Sequence, residues 1–266
     1  MCIKENLPLI HLATKLSPST ISNVQASLQR FGAFRLAAPQ LTGDLSQRVF
    51  QNARTPSYQR KVLVLTFDHR LPELILGRTA IPKESIYFLR KGGDDYIAPP
   101  LDLENSIKAF HDEWTSLRKE LFSTVSMVLD STEPLIGTPT LDYESVGLNF
   151  YDSDRLSPDR VHFNPAHKDS GTLTILVRSN ESCDGLEIAD LQSTEKLDSE
   201  SIGQEASFIS VPAVAGEVIV LAGTRLQRLL GKSKVRACVH RVCRPLQASD
   251  KQQRLSLAIF CGPTMK

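Results

Sequence analysis

The hydrophobic period of this 266-residue chain changes after a long helical stretch near its middle, and that change limits what it can fold into. Leu103, Ile107, Phe110, Trp114, Leu117, Leu121, Val125 and Val128 recur at steps of three or four, which is the period of a helix with one apolar face to bury. From Val146 onward the pattern becomes short extended segments: VGLNFY, TLTILV, GLEIA, FISV, EVIVLA, VRACVHRV and LSLAIFC, with turn residues between them. This succession predicts a mainly β fold with flanking α-helices, a sandwich or barrel backed by the earlier helices.

The first 50 residues read as strand, helix, strand, helix. LPLIHL is apolar and extended, Ser17 to Leu28 has helical spacing, and FGAFRL alternates around Gly32. Pro18 after Ser17 suits a helix start, because a first-turn proline lacks only a donor that has no intrahelical acceptor. In the next 50 residues KVLVLTF fits a strand or part of a helix, and KGGDDYIAPP reads as loop. Between Asp190 and Ala206 the chain is polar and aperiodic, the mark of a mobile loop. All-β barrels of this length commonly form one domain. One is expected over residues 1–266, with a helical and strand part over 1–140 and a β core over about 141–263.

A net charge of +1 supplies no long-range field for nucleic acid, which favours a small-molecule partner. The opening MCIKENLPLIHLA makes no signal-peptide core, and no apolar run approaches bilayer-spanning length. The expectation is a cytoplasmic protein without membrane contact. Five cysteines, an odd number, read as free thiols in a reducing compartment. Cys238 and Cys243 stand five apart with no second pair, against the spacing of a structural zinc site.

The chemistry concentrates at His167, Asp169 and His240. His167 and Asp169 flank Lys168 just ahead of TLTILV, and a period of two turns both to one side while Lys168 points away. In VRACVHRV, Arg236, Cys238 and His240 share a face, and polar groups on an interior face call for a reason such as a metal. Two imidazoles and one carboxylate with open positions are the ligand set of a non-haem Fe(II) oxygenase. Any one histidine alone is better explained as an ordinary polar residue. Arg254 and Ser256, two apart on a strand, share a face and together make a clamp for a carboxylate, which sharpens the reading to an enzyme that binds an organic acid beside iron.

With these motifs in order the chain resembles the isopenicillin N synthase-like branch of the Fe(II)/2-oxoglutarate-dependent dioxygenases. The resemblance runs through LPLIHLA, FGAFRL, LNFYDSD, AHKDSGTLTILV, GEVIVLAGTRLQRLLGKSKVRACVHRV and RLSLAIFCGP. It implies a double-stranded β-helix (jelly-roll) with Fe(II) on His167, Asp169 and His240, and 2-oxoglutarate and O2 as cosubstrates. Arg254 and Ser256 would hold the distal carboxylate of 2-oxoglutarate, with Asn149 and Tyr151 helping to seat it. Phe260 matches a position that packs on substrate, although an inward Phe also serves simply as core. The implied reaction is oxidative decarboxylation of 2-oxoglutarate coupled to hydroxylation, desaturation or cyclisation of a small molecule, with a look of specialised metabolism.

The chain departs from that pattern in four places. The Asp169 to His240 interval is long, the His240 to Arg254 loop is extended, Asp152 replaces a usual proline, and only six residues follow Phe260. The last point leads to the expectation that the 190–206 loop or a second copy, in a homodimer, covers the site, or that its mouth stays open. Three other readings stand beside the main one: an iron oxidase that uses the Arg and Ser for a substrate carboxylate, a non-catalytic sensor on the same fold, and a zinc hydrolase, which would leave the clamp without a task.

Overall fold

The computed structural model describes residues 7–12, 15–54, 83–89, 101–130, 145–152, 162–179, 185–194, 206–244 and 253–262. Helix α1 (Pro18–Arg30) starts as its sequence dictates: Ser17 is extended, its hydroxyl accepts from the Thr20 N–H, and Pro18 fills the first turn. At the other end Gly32 has φ +68°, and a Cβ there would lie 2.3 Å from the Arg236 carbonyl oxygen, so the reversal into β2 (Ala33–Ala37) needs glycine. Strand β1 (Leu9–Ile10) runs parallel to β2. Helices α2 (Pro39–Thr42) and α3 (Asp44–Ala53) follow, then β3 (Lys83–Leu89) and the long α4 (Leu101–Val128).

The β region comprises β4 (Ser145–Asp152), β5 (His162–His167), β6 (Leu173–Arg178), β7 (Leu186–Ala189), β8 (Phe208–Ser210), β9 (Glu217–Ala222), β10 (His240–Cys243) and β11 (Gln253–Cys261), with α5 (Thr224–Leu230) between β9 and β10. Among the described residues these strands make two sheets, in the orders β1-β2-β9-β6-β11-β4-β3 and β5-β10-β7-β8.

Alternation along the strands of the larger sheet builds two separate cores. On one face Leu36, Val220, Ile175, Leu257 and Leu148 pack against the buried stripe of α4, with Phe110, Trp114 and Leu121 wholly enclosed. On the other face Leu221, Leu176 and Ala258 meet Leu186, Ile188 and Ile209 of the smaller sheet. Each such buried aliphatic side chain contributes roughly 1.5–3 kcal/mol. β11 shows the division in one strand: Leu255, Leu257 and Ile259 face the helices, while Arg254, Ser256 and Ala258 face the space between the sheets.

Several expectations change. VRACVHRV is a strand only from His240. Ahead of it the amides leave the ladder: Arg236 N–H donates to Leu28, Ala237 N–H to the Gln227 side chain and Cys238 N–H to Ala222. Strand β5 and helix α5 carry too little apolar period to be read from sequence. The polar stretch after Asp190 begins with an ordered 3-10 turn, Leu191–Thr194, held at Asp190 by Arg30. Residues 195–205, KVLVLTF and KGGDDYIAPP lie outside the described residues.

Candidate metal and cosubstrate site

His167 is the last residue of β5, and the antiparallel register sets it directly opposite His240, the first residue of β10. The two rings stack at a centroid separation of 4.2 Å, inclined by 50°. Asp169 follows two residues after His167, where the chain turns toward β6. Its Oδ1 is 3.8 Å from His167 Nε2 and its Oδ2 is 4.0 Å from His240 Nε2. Both separations are too long for hydrogen bonds. Among the described residues this is the group whose ligand atoms converge, all within 4.8 Å of one another.

Two further observations bear on whether a cation fits. Asp169 Oδ2 is buried with no hydrogen-bond partner among the described residues, a state that costs a carboxylate several kcal/mol in the absence of a cation. His167 Nδ1 lies 2.8 Å from the Pro165 carbonyl oxygen. That carbonyl can only accept, so Nδ1 carries the proton and Nε2 presents its lone pair to the cluster. Asn164 Nδ2 stands 3.4 Å from the same Nε2, the outer limit of contact. The donor set fits a divalent transition metal.

The backbone around Asp169 is fixed by the start of α5. Thr224 N–H donates to the Asp169 carbonyl (2.8 Å), Arg225 N–H to Gly171 (3.1 Å) and Gly223 N–H to Thr172 (2.9 Å). The two segments lie so close that a Cβ on Gly223 would fall 2.1 Å from the Gly171 carbonyl oxygen. Nearby, burial and the charge of Asp169 push the Cys238 thiol well above its ordinary range. Burial, with the positive charges of Lys232 and Arg236, lowers the Lys168 ammonium.

Arg254 and Ser256 are both buried and share the inner face of β11. Register pairs Arg254 with Tyr151 and Ser256 with Asn149 on β4, and the Arg254 guanidinium carbon lies 4.6 Å from the centre of the Tyr151 ring. Tyr151 packs in turn on Phe163 and on Val242, two residues past His240. Arg254 and Ser256, read from sequence as a carboxylate clamp, thus come together with Asn149 and Tyr151, which the resemblance adds as seating residues, and β10 links them to the triad. Phe260 stands further along the same face of β11, opposite Thr174, against the core between the sheets. The supporting residues Pro165, Asn164, Gly223 and Gln227 were not singled out in the sequence; the glycine in LAGTR was the one available signal of close backbone approach.

Cys238, Cys243 and Cys261 are free thiols. Cys243 lies on the outer side of β10, where its Sγ donates to Glu187 Oε2, and burial with that carboxylate pushes it up to about 12. Cys238 faces the interior. The two do not form a metal site. Among the described residues no helix is long and apolar enough to cross a membrane.

Residues 143–263 match the family model of the 2OG-Fe(II) oxygenase superfamily. No curated protein is similar enough in sequence to be called a relative. Among solved structures, a full-length Neurospora crassa protein in complex with alpha-KG and 5-formyluracil aligns with 98% of this chain and 86% of its own, at 21% identity and TM-score 0.70. The dioxygenase for auxin oxidation in rice aligns with 97% of this chain and 86% of its own, at 19% identity and TM-score 0.65. JOX2 in complex with 2OG, Fe and JA aligns with 97% and 75%, at 18% identity and TM-score 0.68. These likenesses identify the two-sheet core as the double-stranded β-helix, or jelly-roll. Every residue of the converging cluster and of the clamp falls inside residues 143–263, the segment that matches the 2OG-Fe(II) oxygenase superfamily, whose enzymes use Fe(II), 2-oxoglutarate and O2.

Proposed function

We propose that His167, Asp169 and His240 hold Fe(II), that Arg254 and Ser256 bind the distal carboxylate of 2-oxoglutarate with Asn149 and Tyr151 seating it, and that the enzyme oxidises a small organic molecule. The observation that carries this reading is the convergence of three ligand atoms around a buried, unpartnered Asp169 oxygen. A cation at this point replaces the long Asn164 contact at His167 Nε2, while the Pro165 carbonyl keeps that ring in the ligating tautomer. When bound, Fe(II) supplies the activation of O2 that the protein's own groups lack. The planar guanidinium of Arg254, backed by the face of Tyr151, presents paired N–H donors to a carboxylate, and Ser256 adds a hydroxyl. Phe260 offers an apolar contact to the substrate.

The neighbours named with 5-formyluracil and JA support a small-molecule substrate, and one of specialised metabolism fits the same reading. Hydroxylation, desaturation and cyclisation share these requirements. We take residues 1–266 as one catalytic domain, because the N-terminal helices and α4 form a single core with the larger sheet. The test is a succinate-release screen over amino acids and terpenoid and polyketide intermediates, with product masses determined for each hit. Substrate-dependent succinate with a product shifted by an oxygen atom or by two hydrogens is the expected result. Substrate oxidation without 2-oxoglutarate consumption would favour the iron oxidase that uses Arg254 for a substrate carboxylate.

A further inference from the structure

Asp169, which lies outside the facing β5 and β10 ends, and the segment that leads into His240 both bond to one short helix, α5. Asp169 is tied to the start of α5 through the Thr224 N–H. The approach to His240 presents a different problem, because residues 235–239 are not in a strand and, apart from the Val239 carbonyl, which accepts from the Ala189 N–H, make no ladder bond. Their amides must find other acceptors or stay buried and unsatisfied, since Val235, Ala237 and Cys238 are enclosed. Three of the acceptors are main-chain carbonyls, Gly231 for Val235, Leu28 for Arg236 and Ala222 for Cys238. The fourth is a side chain: Ala237 N–H donates to Gln227 Oε1 at 2.8 Å. Gln227 is itself fixed in α5, with its N–H on Gly223 and its carbonyl receiving the Gly231 N–H.

We infer that Gln227 is a positioning residue of the metal site: its side-chain oxygen sets the path of the segment that delivers His240, on the same helix that holds the Asp169 turn. A shift of α5 therefore moves two ligands together, whereas His167 is held separately by β5 and the Pro165 carbonyl. The inference rests on the Fe(II) reading given above. Residues that orient ligands without touching the metal commonly change affinity by about 10–100-fold, and Gln227 acts from three positions away, so about tenfold is expected.

The test is anaerobic calorimetric titration of metal-free protein with Fe(II), in the parent, Gln227→Leu and Gln227→Glu, together with the rise in melting temperature that saturating Fe(II) produces. Gln227→Leu removes the acceptor and should weaken Fe(II) about tenfold and shrink the metal-induced rise. Gln227→Glu retains an oxygen acceptor and should bind within about threefold of the parent. Parent-like binding by Gln227→Leu, or equal weakening in both variants, overturns the inference. If Gln227→Leu does not fold, Gln227→Asn, whose acceptor is withdrawn by one methylene, is titrated under the same criterion. A parent that binds no Fe(II) would instead defeat the metal assignment itself.

Discussion

Asp169 is held in place less by its own side chain than by two glycines beside it. Gly223 lets the start of α5 approach Gly171 and Asp169 so closely that a single methyl would collide with a main-chain oxygen at 2.1 Å. Gly223→Ala must therefore push the Asp169 turn away from α5. We expect a loss of about 1–3 kcal/mol in unfolding free energy, the usual cost of overpacking, together with weaker Fe(II) binding; denaturant unfolding and calorimetry on the same sample read both. Unchanged metal affinity would show that the turn relaxes without moving the carboxylate. Arg254→Lys keeps the charge but not the planar fork over Tyr151. It should raise the 2-oxoglutarate concentration needed for half-maximal decarboxylation by about tenfold or more, in line with the roughly 1.5–3 kcal/mol of a hydrogen bond to a charged group, while Fe(II) affinity changes little. Equal 2-oxoglutarate dependence would remove Arg254 from the clamp. The side chains assigned to the metal site and the clamp were legible in the sequence because their chemistry is rare in a strand interior: His, Asp, Arg and Ser on inward positions need a reason. Gln227, Gly223 and Pro165 were not, because they act through backbone groups whose partners lie far along the chain.

Elements were legible where one face is apolar and the other is not. The α4 stripe and the strands from Leu173 to Arg178 and Gln253 to Cys261 form where the period places them. Strand β5, HFNPAH, has little apolar content and a proline, and pairs with β10 through an irregular register. Its place comes from tertiary pairing, which local pattern does not encode. The 235–239 segment failed the other way: its alternation suits a strand, but it runs close against Gly32 and its amides bond to Leu28 of α1, the Gln227 side chain and Ala222 instead. The turn after β7 is likewise more ordered than its composition suggests, because Asp190 Oδ2 accepts from Arg30 at 2.6 Å and Oδ1 from the Gln192 N–H at 3.1 Å. Burial raises the Asp190 carboxyl, but those bonds and the charges of Arg30 and Arg236 outweigh it, and the net shift is downward. A folded value below the unfolded one means a contribution fully present above the ordinary carboxylate range and lost as pH falls through the folded value. Asp190→Asn should therefore cost about 0.2–1 kcal/mol near neutral pH, the worth of a partly exposed pair, and progressively less in acid. Denaturant midpoints of parent and variant across pH measure this; a gap that stays constant into acid would contradict it.

For the whole molecule, the arrangement separates stability from chemistry. The apolar face of the larger sheet takes the N-terminal helices and α4, and the opposite face, turned to the smaller sheet, carries Arg254, Ser256, Asn149, Tyr151 and Phe260 beside the triad. In the proposed assignment metal and cosubstrate lie between the two sheets, on the side of the larger sheet away from α4. The most direct test of this assignment is an anaerobic visible spectrum of the protein with Fe(II) and 2-oxoglutarate, recorded for the parent and for Asp169→Ala. The account predicts a metal-to-ligand charge-transfer band in the parent, which 2-oxoglutarate chelated to iron produces, and its loss in Asp169→Ala. A parent that binds Fe(II) with no such band, or an Asp169→Ala protein with an undiminished one, would contradict it.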